Sequence, residues 1–172
     1  MPSCYTTQGA VINCNDNTGG ISEIYIADFI DKGTPTINAS GLITAWSDAT
    51  GDFYTYQVAK ETANFTESGN PSEQNGTTFY EQTGSFQLAG LDSNRALEND
   101  ILNKGRFLVI FKSRGVTPKY FVIGLENGAY IKANAETGTA MGDFKGYKYT
   151  VSAKEEVYMR EVSSSVVASI IV

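Results

Sequence analysis

The sequence predicts a mainly β fold with one short helix, on three observations. Ten tyrosines and nine phenylalanines occur in 172 residues, and aromatic side chains favour half-buried strands. Apolar and polar residues alternate over residues 53–66 and 77–90, which is the period of a strand that covers a core on one side. Glycine occurs 17 times, which is typical of strands separated by turns. The length suits one hydrophobic core, and we expect residues 1–172 to form a single domain.

The composition disfavours catalysis and tight nucleic-acid binding. The chain contains no histidine, which removes the usual general base and the commonest metal ligand. Its net charge is −6, whereas nucleic-acid binding depends on lysines and arginines that neutralise phosphates. We therefore expect no enzyme activity, no bound metal and no other cofactor.

Residues 1–20 are polar and rich in turn-forming residues, and we interpret them as an N-terminal arm or loop. Cys4 and Cys14 lie within this segment. In an oxidising compartment they form a possible disulfide, and otherwise they are two reduced, partly buried thiols. The first residues lack the segments of a signal peptide. The apolar run at residues 166–172 is too short to span a bilayer, so we expect no membrane partner.

After strands predicted at residues 22–29 and 41–46, the clearest element is a long hairpin. Its strands cover residues 53–66 and 77–90, with the aromatic Phe86 on the apolar side. The polar side is formed by Thr55, Gln57, Glu61, Glu81, Thr83, Ser85 and Gln87. In an ordinary monomeric antiparallel sheet such a side faces solvent.

A polar loop joins the two predicted strands of this hairpin. It comprises Glu67, Ser68, Gly69, Asn70, Pro71, Ser72, Glu73, Gln74, Asn75 and Gly76. The loop at residues 67–76 is longer than an ordinary hairpin turn, and long loops often contact partners. The alternative interpretation is a mobile hairpin tip without a partner.

The one predicted helix covers residues 93–104. Asp92 or Ser93 caps its N-terminus by accepting a hydrogen bond from an early backbone N–H. Leu97 and Ile101 are four residues apart and define the predicted buried stripe, with Leu102 beside it. Gly105 provides the C-terminal stop.

Further strands follow the helix. Residues 106–112 form a nearly continuous apolar strand that we expect to be covered on both faces. An Asn-Gly turn joins strands at residues 119–125 and 129–135 as a predicted hairpin. Residues 147–154 alternate, and a last strand precedes the C-terminal tail at residues 163–172. This apolar tail either adds a strand to a neighbouring copy or lies in the core of its own chain.

Several of these segments carry a resemblance to a known family, over the last two thirds of the chain. They are the apolar strand at residues 107–111, the strand at 120–124 with Asn127 and Gly128 after it, the glycine turn at 138–143, and Lys154, Glu155 and Glu156. In this order, after a long hairpin and a short helix, they resemble the tail tube proteins of bacteriophages or a close virion relative from the tail, neck or baseplate. The resemblance implies an antiparallel β-sandwich or barrel of the tail-tube type with a long extended hairpin.

The resemblance also implies a function. Hexameric rings would stack into a hollow tube through which DNA passes, and the partners would be other copies of the chain and other phage tail proteins. The seven polar residues of the hairpin would line the lumen as a neutral-to-acidic wall that repels phosphates, so DNA would pass without specific binding. The loop at residues 67–76 would contact the adjacent ring. The protein would reside in the virion after assembly in the host bacterial cytoplasm.

Two other classes of function compete with this hypothesis. The first is a carbohydrate-binding or adhesion β-sandwich module, in which Trp46, Tyr54 and Tyr56 either stack on sugars or pack in the core. The second is a carboxylate-dependent hydrolase with Glu155, Glu156, Asp48 and Asp52 as candidate acids. Neighbouring residues of a strand point to opposite faces, so the two glutamates do not converge on one bond. A structural protein is therefore preferred over an enzyme.

Overall fold

The computed structural model describes Thr6 and residues 8–11, 17–47 and 53–172. Eleven strands and two short helices follow one another in this part of the chain. The strands are β1 (Ile21–Asp28), β2 (Thr34–Ile37), β3 (Ile43–Ser47), β4 (Tyr54–Gln57), β5 (Asn64–Ser72), β6 (Thr77–Ala89), β7 (Phe107–Ser113), β8 (Tyr120–Ile123), β9 (Tyr130–Glu136), β10 (Gly146–Glu155) and β11 (Arg160–Val162). The helices are α1 (Ser93–Leu102) and α2 (Ser164–Ile170), and a single 3-10 turn lies at Phe29–Asp31.

The strands form two sheets, which confirms the prediction of a mainly β fold. The larger sheet has seven strands in the order β2-β3-β11-β8-β7-β1-β4, and the smaller has four in the order β5-β6-β10-β9. Neither sheet closes into a barrel within the described residues. The prediction of one helix is correct for α1 but misses α2.

β7 is buried on both of its faces. Its first five residues are all buried, because layers pack on both faces of the larger sheet. Phe107, Val109 and Phe111 belong to the core between the two sheets. Leu108 and Ile110 belong to a second core on the opposite face. The expectation that this strand is covered on both faces is therefore confirmed.

Aromatic side chains pack both within the smaller sheet and across the first core. The rings of Phe86 on β6 and Tyr149 on β10, which are paired on neighbouring strands of the smaller sheet, stack with their centroids 4.5 Å apart. Phe65 on β5 stacks on Phe111 of β7 at 5.8 Å, and this contact joins the two sheets. β10 alternates strictly between buried and exposed residues from Tyr147 onward, as its period of two predicts.

The C-terminal tail covers the second core. Val166 and Val167 of α2 are buried and pack with Leu108 and Ile110. After the helix, Val172 donates a backbone hydrogen bond of 3.2 Å to Phe53. Of the two interpretations of the tail, burial in its own chain is therefore the one observed.

The predicted first strand of the hairpin is wrong, because residues 53–66 belong to two sheets. β4 pairs with β1 in the larger sheet, whereas β5 pairs with β6 in the smaller one. The chain crosses between the sheets in the intervening residues. There Thr62 donates a hydrogen bond of 2.8 Å to the carbonyl of Ala59, and Glu61 has a positive φ of 63°. Alternation does not reveal such a crossing, since the period of two is the same in both sheets.

The predicted ten-residue loop is also wrong. Residues 67–72 belong to β5, and only residues 73–76 form the turn before β6. The sequence contains Pro71 and several small polar residues, which are typical of loops. Because β5 is the edge strand of the smaller sheet, proline is tolerated there.

α1 begins as predicted but buries a different face. The side chain of Asp92 accepts a hydrogen bond of 3.2 Å from the backbone N–H of Asn94, as a capping residue does. Asn99 and Leu102 are the buried residues of the helix. Leu97 and Ile101 are 70% and 53% exposed, so the predicted buried stripe is wrong for these two residues and correct for Leu102.

A second crossing between the sheets replaces the predicted Asn-Gly hairpin. β8 lies in the larger sheet and β9 in the smaller, so residues 119–125 and 129–135 do not pair with each other. Gly124 has a φ of 75°, and a Cβ at this position would collide with the backbone nitrogen of Ala129. Only glycine satisfies both requirements of this tight crossing.

Replacement of Gly84 by alanine is expected to destabilise the fold. Gly84 lies on β6, and an added Cβ would lie 2.7 Å from the ring of Phe111 and 3.4 Å from the carbonyl of Asn64. Since Phe111 is fully buried and held by Phe65, the ring has little room to move. We expect the free energy of unfolding to fall by about 1–3 kcal/mol, the usual cost of overpacking, as measured by urea unfolding.

The control is Gly142→Ala, because nothing lies within 4 Å of a Cβ added there. Its free energy of unfolding should stay within about 0.5 kcal/mol of the wild type. Equal effects of the two substitutions would contradict the packing of β6 against β7.

Candidate functional site

Polar side chains cover the side of the smaller sheet that points away from the larger sheet. We call it the outer face. Strand register places alternate residues of the four strands on it. They are Asn64, Thr66 and Ser68 of β5, Glu81, Thr83, Ser85 and Gln87 of β6, Lys148, Thr150, Ser152 and Lys154 of β10, and Tyr130, Lys132, Asn134 and Glu136 of β9.

The seven residues predicted to line a lumen do not share one face. The four on β6 lie on the outer face. Thr55 and Gln57 lie on β4 in the larger sheet, and Glu61 lies in the connection between β4 and β5. This prediction fails for the same reason as the predicted hairpin strand. The chain changes sheet between residues 57 and 64.

Short polar side chains join neighbouring strands on the outer face. The hydroxyls of Thr66 and Thr83 are 2.8 Å apart. The hydroxyl of Ser85 donates a hydrogen bond of 2.5 Å to the side-chain oxygen of Asn64. Such cross-strand pairs stabilise the sheet and fix its register.

The outer face is close to electrically neutral. The β6 positions contain no basic residue, as predicted, but β9 and β10 add Lys132, Lys148 and Lys154. With Glu81 and Glu136, the face has three positive and two negative side chains. Lys148 forms an ion pair of 2.7 Å with Glu136. The expected wall without basic residues is therefore wrong, because the sequence alone does not reveal which strands adjoin β6.

The β5–β6 hairpin extends past the rest of its sheet. The last pair between β10 and β6 is Glu155 with Tyr80, whereas β5 and β6 continue to pair as far as Ser72 with Thr77. Residues 70–79 therefore form a two-stranded ribbon, which we call the arm. At its base the amine of Lys154 lies 5.5 Å from the centre of the Phe79 ring.

Glu67, which was predicted to lie in a partner-contacting loop, instead points toward the body of the protein. Its carboxylate accepts a hydrogen bond of 2.9 Å from the amide of Gln82 and one of 3.0 Å from the backbone N–H of Met159. The buried Gln82 in turn accepts one of 3.2 Å from the backbone N–H of Gly124. These hydrogen bonds connect the base of the arm to the second crossing between the sheets, at Gly124.

The three aromatic residues considered for sugar stacking do not form one platform. Trp46 donates a hydrogen bond to the carbonyl of Lys32 and packs against the second core. Tyr56 packs against the first core. Tyr54 is 57% exposed and stands alone among the three.

A cleft lies between α1 and β4, and we call it the α1–β4 cleft. Its volume is about 330 Å³. It is lined by Thr55, Tyr56, Gln57, Leu88, Arg95, Glu98, Asn99 and Tyr149. The sequence analysis did not predict this cleft. A signal for the buried face of the helix was present, because Asn99 and Leu102 are three residues apart and so share a face.

Glu155, one of the candidate acids, is buried at the end of β10. Its carboxylate accepts hydrogen bonds of 3.1 Å from the backbone N–H groups of Glu126 and of Asn127. Burial of the side chain raises its pKa. Glu156 is exposed, so the two glutamates do not converge on one site.

The structure does not cover the two remaining candidate acids or the two cysteines. Asp48, Asp52, Cys4 and Cys14 lie outside the residues that the structure describes. In the described ranges, no group of three or more histidine, cysteine, aspartate or glutamate side chains is arranged to hold a metal ion. No helix in the same ranges is long and apolar enough to cross a membrane.

Comparison with known proteins gives no further constraint on function. No family model, no curated protein and no solved structure matches the chain. The outer face, the arm and the α1–β4 cleft are therefore the features from which function is inferred.

Glu155 is expected to make stability depend on pH. Burial raises its pKa in the folded protein above the ordinary value of 4.5, so the folded state takes up this proton at a higher pH than the unfolded chain does. The contribution of Glu155 to stability is therefore fully present below about pH 4.5 and is lost as the pH rises through the folded pKa. Glu155→Gln removes this titration.

Urea unfolding of both proteins between pH 4 and 7 tests this expectation. The free energy of unfolding of the wild type, relative to Glu155→Gln, should fall as the pH rises. Glu156→Gln removes an exposed carboxylate and should keep the trend of the wild type. A difference that grows with pH would contradict the assignment.

Proposed function

We propose that this chain is a structural protein that assembles with copies of itself into rings, and that the rings stack into a tube. The resemblance to tail tube proteins implies six subunits in each ring. The arm is the observation that carries the proposal. The tube is that of a phage tail or of a close virion relative. The outer face lines its channel.

On this proposal the arm gains a contact with a second copy. Among the described residues its two strands pair only with each other, since β10 ends its pairing at Tyr80. An isolated two-stranded ribbon is only marginally stable in water. In a stack of rings the arm would contact the copy above or below it, and this contact would stabilise it. Its position at the end of the smaller sheet favours a contact along the axis of the tube.

The two edges of the smaller sheet favour growth in one direction. At β9 the side chain of Asn103 occupies the edge, because its oxygen accepts a hydrogen bond of 2.9 Å from the backbone N–H of Ala133. At the other edge β5 has no further strand beside it in the described part of the chain. An open edge invites pairing with another chain. When it joins a different surface of the next copy, the contact is heterologous, and such contacts form a ring where the rotation between copies closes.

The outer face has the properties of a wall along which DNA passes without specific binding. Hydroxyl and amide groups dominate it, and one of its three lysines is paired with Glu136. DNA binding gains its affinity mainly from basic groups that displace counterions from phosphates. A nearly neutral wall offers few such contacts. The partners on this proposal are other copies of the chain and other tail proteins, in a virion assembled in the bacterial cytoplasm.

Removal of the arm tests the proposal. Gly69 and Tyr80 are directly paired, so an Asn-Gly dipeptide in place of residues 70–79 joins the two strands through a two-residue turn. We expect the wild type to sediment as rings and stacked tubes at high concentration. The shortened variant should keep the circular dichroism spectrum of the wild type and lose the tubes.

The control for this experiment is Met141→Ser, which alters a fully exposed side chain away from the arm. It should assemble as the wild type does. A wild type that stays monomeric at every concentration would contradict self-assembly. Tubes formed equally well without the arm would contradict its role in stacking.

A further inference from the structure

The α1–β4 cleft is a second candidate site, separate from the outer face and the arm. It is bounded by the helix on one side and by Thr55, Tyr56 and Gln57 of the edge strand on the other. Its volume of about 330 Å³ is near the lower end of the range for small-molecule sites. A ligand the size of one ring fits this volume better than an extended chain does.

Asn99 lines the cleft, and its side chain has an unused hydrogen-bond donor. The residue is 7% exposed, and its side-chain oxygen accepts a hydrogen bond of 2.8 Å from the hydroxyl of Tyr149. Its amide nitrogen is buried and has no hydrogen-bond partner among the described residues. A buried donor without an acceptor carries a free-energy cost in the unbound protein. A ligand that brings a carbonyl or hydroxyl oxygen to this nitrogen would recover that cost.

The charges of the cleft favour a neutral ligand. Its lining contains one cation, Arg95, and one anion, Glu98. The guanidinium of Arg95 already donates a hydrogen bond of 3.2 Å to the carbonyl of Ala89. The carboxylate of Glu98 can accept hydrogen bonds from ligand hydroxyls. A ligand with both donors and acceptors and no net charge matches this lining.

Two aromatic rings of the lining are held in place by packing. Tyr149 is stacked on Phe86 with the ring planes 8° apart, and Tyr56 packs on the same phenylalanine edge to face. Burial raises the pKa of Tyr56 to about 12, so this ring stays neutral at physiological pH. Fixed aromatic rings provide a surface for the C–H groups of a ligand.

We propose that the α1–β4 cleft binds one neutral sugar ring, a hexose or an N-acetylhexosamine. Such a ring has oxygens that accept from Asn99, hydroxyls that donate to Glu98 and a C–H face that packs on Tyr56. The site does not depend on assembly into tubes, so its failure would leave the proposed function intact.

Titration of the ¹⁵N-labelled full chain with N-acetylglucosamine and with glucose tests the site by nuclear magnetic resonance. With a dissociation constant of about 1 mM or below, equivalent to about −4 kcal/mol, saturable shifts are expected in the backbone amides of Thr55, Tyr56, Gln57, Arg95 and Glu98. The absence of saturable shifts in these amides with either sugar would overturn the proposal.

Asn99→Asp separates ligand binding from the structural role of the residue. Aspartate keeps an oxygen for the hydroxyl of Tyr149 and replaces the free donor by an acceptor, so we expect at least a tenfold loss of affinity. Leu97→Ala, on the exposed side of the same helix, should bind the sugar as the wild type does. Unchanged affinity in Asn99→Asp would overturn the proposal. If that variant does not fold, the titration of the wild type decides alone.

Discussion

A strand whose side chains are buried on both faces needs a packed layer on each side, and β7 imposes this requirement on the whole molecule. Phe107, Val109 and Phe111 require the smaller sheet on one face, whereas Leu108 and Ile110 require α2 and its surroundings on the other. The described part of the chain then has no layer left to cover the second side of the smaller sheet. That side must be polar, and it becomes the outer face on which the proposed function depends.

The parts of this architecture that depend on local pattern could be predicted from the sequence. The apolar run of β7 and the alternation of β6 and β10 identify strands and their buried sides, because burial repeats with the period of the strand itself. The N-terminal cap of α1 at Asp92 is equally local. The two crossings between the sheets could not be predicted, since a residue on β4 and one on β5 show the same alternation although different sheets hold them.

The same distinction between local pattern and strand order applies to the candidate sites. The β6 residues of the outer face could be identified by their alternation, but the lysines beside them come from β9 and β10, and only strand order brings them together. For α1, the spacing of Leu97 and Ile101 indicates a buried stripe. The helix instead buries Asn99, whose side-chain oxygen accepts a hydrogen bond from the hydroxyl of Tyr149 on β10. That contact joins residues 50 positions apart, which no local pattern contains. Both residues line the α1–β4 cleft.

The central claim is that several copies of this chain share one water-filled channel and turn their outer faces toward it. Electron cryomicroscopy of the concentrated wild-type protein tests the claim most directly. The account predicts rings or tubes with a central channel, in which Thr83, Ser85 and Thr150 face the axis and the arm contacts the adjacent ring. Particles whose outer faces point to the exterior, or a protein that remains a single copy with this face in bulk solvent, would contradict it.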